Sequence, residues 1–256
     1  MPPQNLSILL ISLPFRPPTL PSPRAASIPP APPLSPVSDR RRLLPDLAAA
    51  GLLALFAWLA LSASRQWSHT SDELPHITAG FAYDHFGDFR LQPENGVLPQ
   101  RVHGLAPLLL GARPPDNPLL WQHSQVWQLG WDFFYGLDNP LDRMLLLARA
   151  LNTCFGVGLG VFLYVVSRRW HGPAGGLVTL ALFCLSPEFL FHSAQATSDV
   201  AGTLFLLLAS WLFWRQLAQR DVRAGVLAGL ASGCAVTAKF SCLLIVPIFA
   251  LLLTAD

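Results

Sequence analysis

Residues 145–166 read LLLARALNTCFGVGLGVFLYVV, an apolar run that contains a single charged side chain, Arg149. As one helix, a run of this length crosses the ~30 Å hydrocarbon core of a bilayer. Arg168 and Arg169 follow directly, and arginines in short loops favour the cytoplasmic side. The segment therefore predicts a transmembrane helix that returns the chain to the cytoplasm.

The composition of the whole chain also indicates a membrane protein. Of its 256 residues, 52% are hydrophobic and only 12% are charged, which excludes an ordinary soluble domain. The formal net charge of +2 is too small and too scattered to predict nucleic-acid binding. All four cysteines lie in apolar runs without metal-type spacing, so we expect no disulfide framework.

Further apolar runs predict additional membrane spans over residues 47–63, 175–190 and 200–214. A last run, residues 224–255, would measure ~48 Å as one helix and overshoot the bilayer. We expect the polar segment 237–241 to break it into two shorter helices. The predicted fold class is all-α, a polytopic transmembrane helix bundle of about six spans with a large extracytoplasmic first loop that carries interfacial helices.

This pattern divides the chain into four segments. Residues 1–45 hold thirteen of the twenty-four prolines, which predicts a disordered cytoplasmic tail. Residues 46–64 form the first span, and residues 65–143 form the extracytoplasmic loop, in which 102–111 is too short to cross the membrane. Residues 144–256 form the remaining bundle, which we expect to be truncated. Arginines before the first span predict a cytoplasmic N-terminus, and we expect a bacterial inner membrane.

The first loop opens with paired carboxylates, Asp72 and Glu73, and holds nine of the fifteen acidic residues. A carboxylate at a membrane face can take a proton from an acceptor hydroxyl while a lipid-borne leaving group departs. Acidic residues in the first turn of a helix also fit a purely stabilising role. His76 and Tyr83 follow at helical spacing on the same face as Asp72, which predicts a groove.

Four more polar residues are candidates for a functional site. Arg149 and Lys239 lie in or between predicted spans, where a cation either snorkels to the surface or meets an anion such as phosphate. Asp199 begins a predicted span and either caps that helix or faces the site. Glu94 either belongs to the site or pairs with Arg90, four residues earlier.

A divalent metal is the one cofactor that these residues suggest. Candidate ligands are His69, Asp72, Glu73 and His76. Their spacing is not diagnostic, and solvated loop histidines are the favoured explanation, so the metal and the cofactor stay open.

Five motifs, in this order along residues 47–255, resemble the N-terminal half of family 39-like membrane glycosyltransferases with the C-type fold. That group includes protein O-mannosyltransferases and lipid A aminoarabinose transferases. The motifs are Asp72-Glu73 with His76, GDFRLQPE (87–94), Arg149, Ser186-Pro187 with HSAQATSD (192–199), and AKFS (238–241).

The resemblance implies that a polyprenyl-phosphate sugar donor is used for inverting transfer to an acceptor hydroxyl at the extracytoplasmic face. It assigns the base to Asp72, with Glu73 beside it, and donor-phosphate contacts to Arg149 and Lys239. Two departures stand out. Relatives often carry a basic residue and two prolines where this chain has Asn95-Gly96-Val97, and they are about twice as long.

Two other functions remain open at this stage. Broken helices with buried charge are also typical of transporters, which makes a membrane transporter or flippase the main alternative. An inactive fragment of a glycosyltransferase is the second. Transport sites place charge near the midplane, whereas the acids here cluster in the outer loop, which favours the transferase.

Overall fold

The computed structural model describes residues 39–220 and 222–254, and all regular secondary structure in these ranges is helical. The helices are α1 (Asp39–Ser64), α2 (Glu73–Phe86), α3 (Val97–Leu109), α4 (Pro118–Gln122), α5 (Val126–Trp131), α6 (Leu141–Cys184), α7 (Pro187–Ser193), α8 (Asp199–Gln219), α9 (Val222–Ala238) and α10 (Ile245–Thr254). The predicted all-α class is confirmed for this part of the chain.

Within the described residues, three helices are long and apolar enough to cross a membrane: Leu43–Ser64, Leu141–Cys184 and Asp199–Ala218. The second of these bends at Gly172, whose φ of 74° and ψ of −178° interrupt the helix just before Pro173. A proline has no N–H to continue the helical hydrogen bonds, which fits a bend at this point. The predicted second span lies before the bend, and the predicted third span begins after it.

Two predicted boundaries differ from the structure. Helix α1 begins at Asp39, so 39–45 is helical, whereas residues 1–38 of the predicted tail lie outside the described residues. The third span was expected to reach residue 190, but its helix ends at Cys184. Pro187 disfavours a helical conformation for Ser186, which is extended with ψ of 121°, and so the chain starts a separate short helix, α7.

The predicted break in the last apolar run is confirmed. Helix α9 ends at Ala238, Lys239 adopts an extended conformation, and a 3₁₀ turn over Phe240–Leu244 leads into α10. Both helices are apolar but shorter than the three candidate spans. The break therefore places Lys239 between two short helices.

The first loop folds into a layer of helices rather than an open connection. Helices α2 and α3 approach so closely that a Cβ added to Gly80 would lie 1.8 Å from the carbonyl oxygen of Gln100. A Cβ added to Gly104 would lie 2.2 Å from the backbone of Gly80. The predicted interfacial helix is α3, which begins at Val97, earlier than expected. Leu74 and Ile77 of α2 belong to the apolar cluster that includes α6.

The alternation of arginine clusters gives a testable membrane topology. We expect a cysteine placed at His123, in the first loop, to react with an impermeant thiol reagent in intact cells. A cysteine placed at His171, beside the bend of α6, is expected to react only after permeabilisation. Both side chains are exposed, and the native cysteines, among them the exposed Cys154, are first replaced. If only position 171 were labelled from outside, the orientation of the protein in the membrane would be the reverse of the one expected here.

Candidate active site

A buried ion pair joins the first loop to the transmembrane helices. The guanidinium of Arg149, on α6, donates from Nε to Glu73 Oε1 and from Nη2 to Glu73 Oε2, both at 2.7 Å. The side chains of both residues are at most 2% exposed. Paired forks of this kind combine charge with fixed geometry. The pair therefore anchors the start of α2 to α6.

The other N–H groups of the guanidinium donate to three backbone carbonyls at the end of α1 and in the segment that follows it. Nη1 donates to the carbonyl oxygens of Ser64 at 2.6 Å and Trp67 at 3.0 Å, and Nη2 donates to that of Ser68 at 2.8 Å. With the two bonds to Glu73, all five N–H groups of Arg149 have acceptors. No N–H group is left for the donor phosphate that the sequence suggested for this residue, so the geometry supports a structural role.

The carboxylate of Glu73 is also fully hydrogen-bonded. Its Oε1 accepts from the backbone N–H of Ala196 at 2.9 Å, and its Oε2 accepts from the N–H of Thr70 at 2.9 Å. Burial alone would raise the pKa of Glu73, but the hydrogen bonds and charge of Arg149, helped by these two N–H groups, bring it below its usual value. The carboxylate stays ionised and fully bonded, which leaves it poorly suited to accept a proton from a substrate.

Asp72 differs from Glu73 both in its exposure and in its hydrogen bonding. It occupies the N-cap position of α2, yet its side chain makes no capping hydrogen bond and is exposed. Its one hydrogen bond within the described residues is a long one, 3.5 Å, from the Ser71 hydroxyl. Asp72 is thus the member of the acidic pair whose oxygens remain available to a ligand.

Three other predicted residues form a polar cluster with Asp72: His76, Asp199 and Lys239. His76 lies within electrostatic reach of Asp72, Asp199 and Lys239, as well as of Glu73. Lys239 Nζ donates to Asp199 Oδ1, and His192 Nδ1 lies 3.8 Å from Asp199 Oδ2. The first loop, the start of α8 and the break after α9 therefore meet in one polar cluster.

A tight backbone contact brings the first loop to Lys239. Gly96 has φ of +94°, and a Cβ added there would lie 1.8 Å from the carbonyl oxygen of Ala238. Only glycine readily adopts this conformation and leaves room for the contact. The backbone after Glu94 consequently touches the residue that precedes Lys239.

Two buried histidines extend the cluster inward. The rings of His76 and His103 lie 6.4 Å apart, and within the described residues neither Nδ1 has a hydrogen-bond partner. His103 Nε2 pairs with Asn152 Oδ1 at 3.1 Å, and Asn152 Nδ2 donates to carbonyls of the 192–195 segment, including His192 at 3.0 Å. Burial lowers the pKa of both histidines well below the ordinary value, so both rings are neutral.

His103 was not among the residues that the sequence singled out, and neither was the amide of Asn152. Asn152 follows Arg149 by three residues, which places both side chains on one face of α6. This spacing was the sequence signal for Asn152. His103 had no such signal, because its contact with Asn152 depends on how α3 packs.

Tyr83 and Glu94 lie outside this cluster. Tyr83 follows His76 by seven residues, about 10 Å along α2, and stacks on Phe89 with ring centroids 4.8 Å apart. Burial raises the pKa of its phenol above the usual value. Glu94 is exposed, and Arg90 pairs with Asp88 at 2.6 Å instead of with Glu94. Of the two alternatives for Glu94, the pairing with Arg90 is not the one that the structure shows.

The described residues contain no group of three or more His, Cys, Asp or Glu side chains arranged to hold a metal ion. Although His69 is close to the other three candidates in sequence, its Nδ1 pairs with the Tyr135 hydroxyl at 2.7 Å. The structure therefore offers no support for the four-residue metal site, and it leaves the cofactor open.

A comparison with protein-family models gives a match over part of the chain. Residues 143–256 match the family model described as dolichyl-phosphate-mannose-protein mannosyltransferase. No curated protein and no solved structure matches the chain. The match covers less than half of the chain, so it shows that this segment is similar to the family, and the long apolar helices agree with a membrane protein. The matched segment contains Arg149, Asp199 and Lys239; the Asp72 loop precedes it.

We expect Arg149→Met to destabilise the protein strongly. The change leaves Glu73 ionised in the interior and removes the donors of three carbonyls, and breaking a buried pair in this way costs about 3–5 kcal/mol. The measurement is unfolding of the purified protein in detergent by heat or denaturant.

Arg143→Met is the matched control, because Arg143 lies two turns earlier on α6 and is exposed. It should unfold close to the wild type. Equal stability of the two variants would show that the Glu73–Arg149 pair does not hold the first loop in place.

Proposed function

We propose that the protein transfers a sugar from a polyprenyl-phosphate donor to an acceptor hydroxyl at the extracytoplasmic face of the membrane, with Asp72 as general base. The observation that carries this proposal is the contrast between the two neighbouring carboxylates. Glu73 is buried and bonded on both oxygens, whereas Asp72 is exposed and nearly free of partners. Glu73 anchors the first loop to α6, and Asp72 remains free to accept a proton.

The transfer proceeds as a single displacement. Asp72 accepts the proton of the acceptor hydroxyl while the acceptor oxygen forms a bond to the anomeric carbon of the sugar. The bond from that carbon to the phosphate oxygen breaks, its electron pair stays with the phosphate, and the lipid phosphate leaves. The incoming and leaving oxygens lie on opposite sides of the anomeric carbon, so the configuration inverts.

Lys239 is the residue best placed to bind the donor phosphate. Its ammonium has three N–H donors, and its one hydrogen bond within the described residues goes to Asp199. The side chain is about one-third exposed, in the same cluster as Asp72. A lysine acts on phosphate as a point charge, which suits a position between two short helices. Arg149 is not part of this proposal because its N–H groups are already bonded.

The proposed orientation follows from the arginine clusters. The first loop, with Asp72, faces the extracytoplasmic side, and the tail before α1 faces the cytoplasm of a bacterial inner membrane. A polyprenyl phosphate carries its charge at the headgroup level, where the loop layer meets the spans.

We expect Asp72→Asn to lower sugar transfer by roughly 10²–10⁴-fold, because an amide cannot accept the proton. The assay follows release of lipid phosphate from a polyprenyl-phosphate mannose probe in membranes that contain the full chain and native acceptors. Expression and thermal stability should not change, because the Asp72 side chain makes no capping bond.

Asp138→Asn provides the control. Asp138 is exposed in the same loop at φ of 57°, a left-handed conformation that asparagine tolerates well. It should transfer sugar at the wild-type rate. If Asp72→Asn did the same, Asp72 would be only a helix-end residue, and the proposed function would lose its base.

Lys239→Met and Asp199→Asn are expected to affect donor binding differently. Loss of the Lys239 charge should weaken the affinity for polyprenyl phosphate, by roughly fivefold if the charge contributes ~1 kcal/mol near the membrane surface. Asp199→Asn removes the anion that competes for Lys239, so affinity should stay equal or increase. Titration of purified protein with polyprenyl phosphate measures both. Weakening by Asp199→Asn with no effect of Lys239→Met would contradict this assignment.

A further inference from the structure

Arg149 also lines a cavity of about 250 Å³ that contains none of the proposed catalytic residues. This headgroup cavity, as we name it, lies between the end of α1 and the start of α6. Its polar wall includes Arg65 and Asp142, and its apolar wall includes Trp67 and Leu145. Arg65 directly follows the candidate span Leu43–Ser64, so the cavity lies where the hydrocarbon of the bilayer meets the headgroups.

An apolar groove of about 520 Å³ adjoins the cavity at Trp67, which lines both. The groove runs between the last turns of α1, with Leu59 and Ala63, and helix α7, with Leu190 and Phe191; Glu188 of α7 is the one charged residue among the described residues that line it. The Trp67 and Phe191 rings lie 5.7 Å apart. Because Leu59 and Ala63 belong to a candidate span, the groove extends from the headgroup level into the hydrocarbon layer.

The charges in the headgroup cavity are one free cation and one free anion. Within the part of the chain that the structure describes, neither Arg65 nor Asp142 makes a side-chain hydrogen bond or ion pair, and both are exposed. Arg149 contributes no free donor, since its five N–H groups are bonded. A fitting ligand therefore carries both a negative and a positive group above an apolar chain.

We propose that the cavity and groove bind a phospholipid whose headgroup is phosphoethanolamine. Arg65 binds the phosphate, and a guanidinium fork suits its oxygens. Asp142 accepts hydrogen bonds from the primary ammonium, and one acyl chain lies in the groove against Trp67. A quaternary ammonium such as choline has no N–H to donate to Asp142, and a glycerol headgroup has no cation, so this site distinguishes among common phospholipids.

The proposal does not depend on sugar transfer. It follows from the charges and shape on the α1 side of Arg149, and the proposed donor site uses Asp72 and Lys239. A lipid seated here would brace the end of α1, whose three carbonyls hold the Arg149 guanidinium.

The experiment titrates dioleoyl phosphatidylethanolamine into the purified full chain in detergent and counts bound lipid by native mass spectrometry. The matching phosphatidylcholine and phosphatidylglycerol are the comparison ligands. We expect Arg65→Gln to weaken phosphatidylethanolamine binding by roughly fivefold, for a surface charge worth ~1 kcal/mol. Asp142→Asn should remove the preference over phosphatidylcholine. Both side chains are exposed, so both variants should fold, and thermal unfolding verifies this.

Arg143→Gln and Asp138→Asn are the controls, because both are exposed charges near the start of α6 that do not line the cavity. They should bind phosphatidylethanolamine like the wild type, and so should Asp72→Asn, whether or not it transfers sugar. The proposal is overturned if Arg65→Gln binds as the wild type does. It is also overturned if the wild type binds phosphatidylcholine or phosphatidylglycerol as tightly as phosphatidylethanolamine.

Discussion

The ion pair between Glu73 and Arg149 is the interaction on which the described structure depends most. Removing two charges from water costs several kcal/mol per ion, and only excellent geometry with complete hydrogen bonding offsets that cost. This pair meets the condition, because every N–H of the guanidinium and both carboxylate oxygens are bonded. The bonds come from four places in the chain: the end of α1, the start of α2, the first turns of α6 and the segment before α8. Without the pair these four would have no common polar anchor.

The same pair explains how two neighbouring acids acquire different properties. Consecutive residues on a helix point about 100° apart, so a helix that buries Glu73 directs Asp72 elsewhere. Because Glu73 is fixed at both oxygens, the backbone at the start of α2 is held in place without any bond from the Asp72 side chain. The Asp72 carboxylate therefore keeps its hydrogen-bonding capacity for other partners.

Much of the fold could be predicted from the sequence, because the signals are local. Apolar length predicted the spans, and the polar segment 237–241 predicted the break that positions Lys239. Asp72, His76, Asp199 and Lys239 were also predicted, and the structure brings them together. The role of Arg149 could not be predicted in this way. A cation in a span suggests an anion nearby, but its partner lies 76 residues earlier in the chain. His103 was missed for the same reason, because its place depends on the contact between Gly80 and Gly104.

The loop after Glu94 shows how one glycine fits a tight contact in the structure. The sequence there is Asn95-Gly96-Val97, and Gly96 lies against the carbonyl of Ala238. No side chain fits there without moving the loop or the break that holds Lys239, and the φ of +94° itself favours glycine. The loop therefore offers no cation of its own, but its backbone contacts the residue next to one. In this chain the cation of the polar cluster comes from the break after α9, and Gly96 allows the first loop to contact the residue that precedes it.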